Sequence, residues 1–318
     1  MLTRVLRTAA AVLSHTFEVG EDPTDSTTTV TVTVKDPSGA TVASGNAAHG
    51  DTGVYTFALP GQSALTELTV SWSATIASAA VVEVDQVEVA GGFFFTLREG
   101  RASDVSLADD TRYPGAALIE ARTQVEQECE EICARSFVPR YRRVTLSGND
   151  TSDLILPDAE VRTIRSATVA PRFGQTAVAL TVGQLAALAP LPDGTLRRTD
   201  GLWWTGGEQN VVIEYECGLD GPPRDLVTAA LTRFRTRLNI GRSAVPDRAS
   251  SFTSAEGGTY RLTLPDAFKT GIPEVDAVYS RYSLRTGSGT GQGGRPIPAG
   301  RTLSYDPQYN SLFHPGRR

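Results

Sequence analysis

Residues 113–146 read YPGAALIEARTQVEQECEEICARSFVPRYRRVTL, and the way this stretch folds decides how the rest of the chain is divided. Leu118, Ala121, Val125, Cys129, Ile132 and Cys133 follow steps of three and four, which lays one apolar stripe along a helix. Glu120, Glu126, Glu128, Glu130 and Glu131 fall mostly off that stripe and read as a solvated face. The helix is expected to end in SFVPR, because the residue before a proline avoids helical geometry. Cys129 and Cys133 stand one turn apart on the apolar face. A metal would need further ligands nearby, and His15, His49 and His314 are scattered, so the thiols read as packing and no metal is expected.

Upstream of the helix the pattern has period two. Val30, Val32 and Val34 alternate with threonines in TTTVTVTV, and DPSG (residues 36–39) supplies a turn. Leu68, Val70, Trp72, Ala74 and Ile76 share one face of a later strand, with Trp72 expected in a core. VVEVDQVEV shifts phase near Asp85 and Gln86, which predicts a bulge. Many short strands with regular turns point to an antiparallel sandwich over residues 1–97. The apolar part of MLTRVLRTAAAVLS is shorter than the core of a signal peptide, so no secretory leader is expected. Phe93, Phe94 and Phe95 need burial on both sides, either at a junction between two units or in a last strand.

Downstream, YRRVTLSG, DLILP, VRTIRSATVA and AVALTV read as strands. GLWWTGGEQNVVIEYECG reads as a hairpin turning at Gly206 and Gly207, with Val211, Ile213, Tyr215 and Cys217 on one face. A second helix follows GPP, carrying Leu226, Ala230, Phe234 and Leu238 at four-residue steps and Asp225 at its positive end. SSFTSAEGGTYRLTLP reads as a further hairpin, and a third helix opens at Pro273.

The chain has 318 residues, 40% hydrophobic and 21% charged, enough for two globular units. A net charge of −6 argues against general nucleic-acid binding, and no run approaches the length that spans a bilayer. Three cysteines cannot all pair within one chain, so no disulfide framework is expected. In residues 286–318, four arginines against Asp306 give +3, and TGSGTGQGGRPIPAG lacks the apolar surface to fold alone. The expected fold class is therefore a two-part α+β chain. An all-β sandwich occupies residues 1–97. Residues 98–285 carry helices near 113–136, 222–240 and 273–284, with strands across about 140–217, and residues 286–318 form an extended C-terminal tail.

The N-terminal pattern resembles the immunoglobulin-like domains often attached to phage virion proteins. ARTQVEQECEEICARSFVPR, then LILPDAEVRTIRSATV, then VVIEYECGLDGPPRDLVTAALTRF, then GIPEVDAVYSRYS, in that order and spacing, resemble the head-tail connector, or adaptor, family of long-tailed bacteriophages. The resemblance spans roughly residues 101–285. It implies a helical core with a β insertion, assembled as a dodecameric ring beneath the portal protein. Such a ring extends the DNA channel, contacts passing DNA only transiently and without sequence preference, and docks a head-completion or tail-completion protein. It implies a place at the virion neck, with assembly in the host cytoplasm and no membrane association. The N-terminal β unit departs from the compact family pattern.

Within that frame Arg301, Tyr305, Tyr309, Leu312 and Phe313 are the expected anchors of the tail on the portal or a neighbouring subunit, because aromatics and arginine dominate interface energy. Arg233, Arg235, Arg237 and Arg242 are either a channel- or portal-facing basic group or a solvated helix end that complements the helix dipole. The alternative function is a binding module that holds a glycan or receptor on the immunoglobulin-like unit, with aromatics from VSWSA and GVYTF. No nucleophile elbow, Walker loop or H-E-x-x-H occurs, and GSGTGQGG has no strand-then-helix setting for a dinucleotide. No catalytic residues and no cofactor are expected.

Overall fold

The computed structural model describes residues 2–171, 175–240, 251–253, 259–261 and 268–284. The tail anchors Arg301, Tyr305, Tyr309, Leu312 and Phe313, together with Arg242, lie outside the described residues.

The first ninety residues are all strand and turn. In order they are β1 (Leu2–Leu6), β2 (Ala11–Thr16), the two-residue β3 (Glu18–Val19) and β4 (Asp22–Pro23), β5 (Thr31–Lys35), β6 (Thr41–Asn46), β7 (Ala48–His49), β8 (Val54–Leu59), β9 (Thr66–Ile76) and β10 (Ala79–Ala90). One sheet has the order β1-β10-β9-β5-β6 and the other β2-β8-β7. The alternating apolar residues of both sheets meet in one core. Val30, Val32, Val34, Leu68, Val70 and Trp72 are all buried there, as their period-two spacing predicts. MLTRVLRTAAAVLS is thus two strands, β1 running parallel to the end of β10 and β2 pairing with β8.

The phase change near Asp85 is not a bulge. β10 pairs with β9 in unbroken register from Ala79↔Ile76 to Val89↔Thr66. What changes is burial: up to Gln86 only one face of β10 is covered, whereas Val87, Glu88, Val89 and Ala90 are all buried. The hairpin between β9 and β10 turns at Ala77 and Ser78, with φ of 48° and 69°, the positive values a tight two-residue turn requires.

After the triple phenylalanine come α1 (Leu97–Ala102), α2 (Gly115–Cys133), β11 (Arg140–Gly148), β12 (Asp153–Ile155), β13 (Val161–Val169), β14 (Val178–Ala179), α3 (Val182–Ala186), β15 (Leu188–Pro190), β16 (Thr195–Arg198), β17 (Gly207–Cys217), α4 (Arg224–Ile240), β18 (Ser251–Thr253), β19 (Thr259–Arg261) and α5 (Pro273–Tyr282). Helices α2, α4 and α5 pack together, and Leu118, Val125, Cys129, Leu226, Phe234, Val275 and Tyr279 fill the space between them. Phe94 and Phe95 enter this same core, each edge-on to another phenylalanine, Phe137 and Phe234. They lie in a loop and not in a last strand. The strands between α2 and α4 make a four-stranded sheet, β11-β17-β13-β14, and a three-stranded one, β12-β16-β15, around a third core.

Three local expectations give way to tertiary context. α2 ends at Cys133, before SFVPR, because Ala134 takes a left-handed φ of 52° and its N–H caps the carbonyls of Glu130 and Glu131. AVALTV is only briefly a strand. Thr181 caps α3, accepting from the Gln184 amide while the Gln184 side chain accepts from the Thr181 amide. The segment before Gly206 does not pair with β17. Trp204 bridges to Thr151, and β17 lies between β11 and β13. Val211, Ile213, Tyr215 and Cys217 nevertheless share a buried face, as their spacing predicts.

The turn at Ala77 and Ser78 places two side-chain-bearing residues where glycine is favoured. Ser78→Gly is therefore expected to raise the unfolding free energy by about 1 kcal/mol, measured as a shift of the urea midpoint at constant slope. An unchanged or lower midpoint would show that the strain is not borne at Ser78.

Candidate functional site

Four chain segments bring charge into the buried seam between the N-terminal sheets and the helices. Arg4 comes from β1, Glu88 from β10, Glu126 and Glu130 from α2, and Arg140 from the start of β11. Glu88 sits near the end of β10, where both faces of the strand are covered, so its carboxylate is buried. It accepts from Arg140 Nη1 at 2.6 Å on one oxygen and from Arg4 Nε at 2.8 Å on the other. Arg4 reaches on to Glu126 at 3.0 Å and Glu130 at 3.3 Å. Arg140 Nε donates to Glu130 and Ser136, both at 2.9 Å. Its Nη2 lies 2.8 Å from Glu130 without the alignment of a hydrogen bond, and is ion-paired there. The second Glu126 oxygen accepts the Phe94 amide at 2.8 Å.

The acidic face of α2 is therefore solvated only in part: Glu120 and Glu131 are exposed, whereas the glutamates of the cluster are not. Glu126 is fully buried and Glu130 nearly so. Burial would push the Glu88 carboxyl up, but Arg140 and Arg4 outweigh it and hold the group at about 2. At Glu126 burial wins, and its carboxyl is raised against the pull of Arg4, the Phe94 amide and Arg140. Burial alone would ease the proton off Arg140; Glu130 and Glu88 more than reverse this. Perturbed carboxyls in a seam can mark catalysis. Here both oxygens of Glu88 and of Glu126 are already engaged by donors of the protein, which makes the cluster a joint between units. Arg122, on the same helix, lies flat over Phe93 at 3.6 Å and donates to the Phe95 carbonyl.

The backbone closes the seam too. Gly91 N–H donates to the Pro139 carbonyl at 2.8 Å, and a Cβ at Gly91 would fall 2.6 Å from the Pro139 ring. Arg143 and Arg165, on the four-stranded sheet, donate to the carbonyls of Pro37 and Leu65 on the N-terminal unit.

The described members of the α4 arginine group face inward partners. Arg233 is buried and bidentate to Glu128 of α2, both bonds 2.8 Å. Burial would lower its pKa, but Glu128 more than offsets this and raises it. Arg235 donates to the Ser103 carbonyl, and Arg237 to Gln124 at 2.6 Å. The three brace α4 against α1 and α2. At the other end of α4, Asp225 accepts from Arg281 and from the Tyr282 hydroxyl, tying in α5.

Cys129 and Cys133 lie with sulfurs 4.0 Å apart in the helical core, and Cys133 donates to the Tyr279 carbonyl. Burial raises the Cys129 thiol well above its ordinary value. Cys217 belongs to the separate core of the insertion. Among the described residues no group of three or more His, Cys, Asp or Glu side chains is placed to hold a metal. No helix among them is long and apolar enough to cross a membrane.

Sequence reasoning missed a groove of about 720 Å³ at the far end of the insertion, lined in part by Val178, Leu180, Leu202 and Trp203, with Asp150 and Arg198 at its polar edge. Trp203 is 67% exposed and Val178 62% exposed. WW in the sequence was the available signal. Only one of the pair is buried, Trp204, beneath the Arg198 guanidinium.

No family model matches the chain, and no curated protein matches it. Among solved structures it is similar to a chain from the neck of an empty gene transfer agent (GTA) particle computed with C6 symmetry, at 16% identity and a TM-score of 0.41 over 64% of this chain and 94% of that one. A chain from the neck of the native GTA particle, computed with C12 symmetry, gives 16% identity and a TM-score of 0.38 over 64% and 98%. A chain from the virion of the native GTA particle gives 16% and 0.41 over 64% and 94%. At this distance the likeness assigns neither a residue nor a role.

Removing one carboxylate from the seam strands buried arginines. Glu88→Gln is expected to cost about 3–5 kcal/mol at pH 7, read by urea or thermal unfolding. The folded value of Glu88, about 2, lies below its ordinary 4.5, so its contribution is complete above about pH 4.5 and is lost as pH falls through about 2. The gap between the two proteins should thus hold steady from pH 7 to about 5 and narrow below. Glu126 has the opposite sign, so Glu126→Gln should cost less than Glu88→Gln at pH 7. A gap that widens in acid, or Glu126→Gln as the costlier change, contradicts this account.

Proposed function

We propose that this chain is a structural virion protein: the ring-forming adaptor beneath the portal that extends the DNA channel and docks the next neck or tail component. The observation that supports this reading is the packing of α2, α4 and α5. Helices separated by some ninety residues of strand come together as one core, and the strands leave and return as an insertion. That is the arrangement the adaptor resemblance implies for these same segments. Ring size, portal contact and the transient passage of DNA follow from that resemblance.

The units are those of residues 1–97, 98–285 and 286–318, with the N-terminal one immunoglobulin-like. Its strand order supports this. β2-β8-β7 matches one sheet of that fold, and β6-β5-β9-β10 the other, with β1 added beside the last strand. In place of the inter-sheet disulfide, His15 of β2 stacks on Trp72 of β9 at 5.2 Å. The unit is a fixed collar element of the subunit, held by the charged seam. The glycan- or receptor-binding alternative needs exposed aromatics, but Trp72, Tyr55 and Phe57, from the two segments proposed to supply them, are buried. The arginines of α4 serve as braces, and contact with DNA is left weak, as a sliding polyanion requires.

The tail attaches the subunit to the portal or to a neighbour through Arg301, Tyr305, Tyr309, Leu312 and Phe313. Deleting residues 286–318 should leave a protein with an unchanged thermal transition that no longer yields heads joined to tails, counted in electron micrographs of the particles. Joined particles at full yield would overturn the adaptor reading.

A further inference from the structure

The groove beside Trp203 exposes apolar surface. Large apolar side chains crowd one place: Trp203, Leu202 and Val178 are all at least 48% exposed. Single exposed apolar residues are ordinary, but a contiguous group with a polar rim marks a binding surface. Arg198, bonded to Asp200 at 3.1 and 2.6 Å, lines the groove and covers the buried Trp204. Asp150 holds its carboxylate at the rim by accepting the Gly206 amide. The site is apolar in the middle, with the Asp150 carboxylate at its rim.

The chain carries the complement. Residues 303–316, LSYDPQYNSLFHPG, bring two tyrosines, two leucines and a phenylalanine, flanked by Arg301, Arg317 and Arg318. The tail from residue 286 has a charge of +3, so the remaining 285 residues carry −9. The two parts attract at close range, within the Debye length of about 8 Å at physiological salt.

The tail starts far from the groove of its own copy. The described chain ends at Leu284, whose amide bonds to Cys133 at the end of α2, and Gly218 N–H bonds to Glu160 close by the end of β17. The groove lies by the start of β17, and the eleven residues of Gly207–Cys217 separate the two places by about 33 Å. The tail leaves one end of the insertion and the groove opens at the other. A groove and its complement at opposite ends of one subunit make a heterologous contact, the kind that generates rings when the rotation closes. The eighteen residues 285–302 that precede the seat reach at most about 60 Å, well beyond the length of the insertion.

We infer that the groove beside Trp203 is the seat of residues 303–316 of a second copy of this chain. This rests on the adaptor reading and names one attachment point of the tail within it. Phe313 and Leu312 fill the apolar centre over Trp203, and the terminal arginines lie along Asp150.

The test uses the full chain with engineered cysteine pairs, since the native Cys129, Cys133 and Cys217 are fully buried. Val178→Cys with Leu312→Cys places one thiol on the groove and one on the tail. Val82→Cys with Leu312→Cys is the control, because Val82 is 63% exposed and lies on β10, away from the groove. Under mild oxidation the groove pair should form covalent multimers about 100-fold faster than the control. Trp203→Ser in the same background should bring the rate down to the control's, with circular dichroism unchanged. Equal rates for the two pairs overturn the inference, and so does a fast cross-link confined to monomers, which would place the tail on its own subunit. Particle assembly separates this from the adaptor reading. If deletion of residues 286–318 blocks head–tail joining while Trp203→Ser joins at full yield, the groove is not the seat and the adaptor reading stands. If the deletion itself has no effect, the adaptor reading fails, whatever the cross-link reports.

Discussion

The structure depends on a buried ion cluster in which two arginines and three glutamates from four separate segments bond to one another. Each ion taken out of water carries a desolvation penalty of several kcal/mol, and mutual attraction offsets this only when geometry and hydrogen bonds are good. Here the geometry is constrained from every side. Arg4 cannot bond Glu88, Glu126 and Glu130 together unless β1 lies beside β10 and both lie on α2. Arg140 cannot reach both Glu88 and Glu130 unless β11 starts where β10 and α2 end. Apolar packing would accept several docking angles between the β unit and the helices. The ion cluster accepts one, because any other leaves a buried charge without a partner.

That fixed docking turns three cores into one subunit. The sandwich core, the helical core and the insertion core each satisfy their own apolar residues. Charged and backbone groups do the joining. The cluster and the Gly91–Pro139 bond hold the sandwich to the helices. Arg143 and Arg165 hold the insertion to the sandwich. Arg233 and Arg237 hold α4 to α2. Arginine suits this use: its planar fork bonds two or three oxygens at once and stays charged when buried.

Much of the fold was legible because its signals are local. Leu68 through Ile76 alternate, and Leu118 through Cys133 step by three and four, because strands and helices repeat their environment every two and every 3.6 residues. Both patterns landed in cores. Where the reading failed, a local preference lost to a distant partner or to another local one. Glu126 and Glu130 look solvated by helical spacing, yet Arg4 lies 122 residues from the first of them. Gly206 and Gly207 permit a hairpin, but Trp204 pairs with Thr151 instead. Thr181 and Gln184 spell a capping box, hidden by the β-branched residues around it.

The sequence by itself determined the long strands and the three long helices, their order and their apolar faces, because those follow from periodicity and from the residues that start and stop helices and strands. It also determined a tail opposite in charge to the body. Only the tertiary structure decided what the charges do. Whether a glutamate meets water or a guanidinium depends on which segments become neighbours, and no repeat along the chain encodes that. The same holds for the two adjacent tryptophans: Trp204 found a core, while Trp203 was left on the rim of a groove formed by segments that meet only in the folded chain.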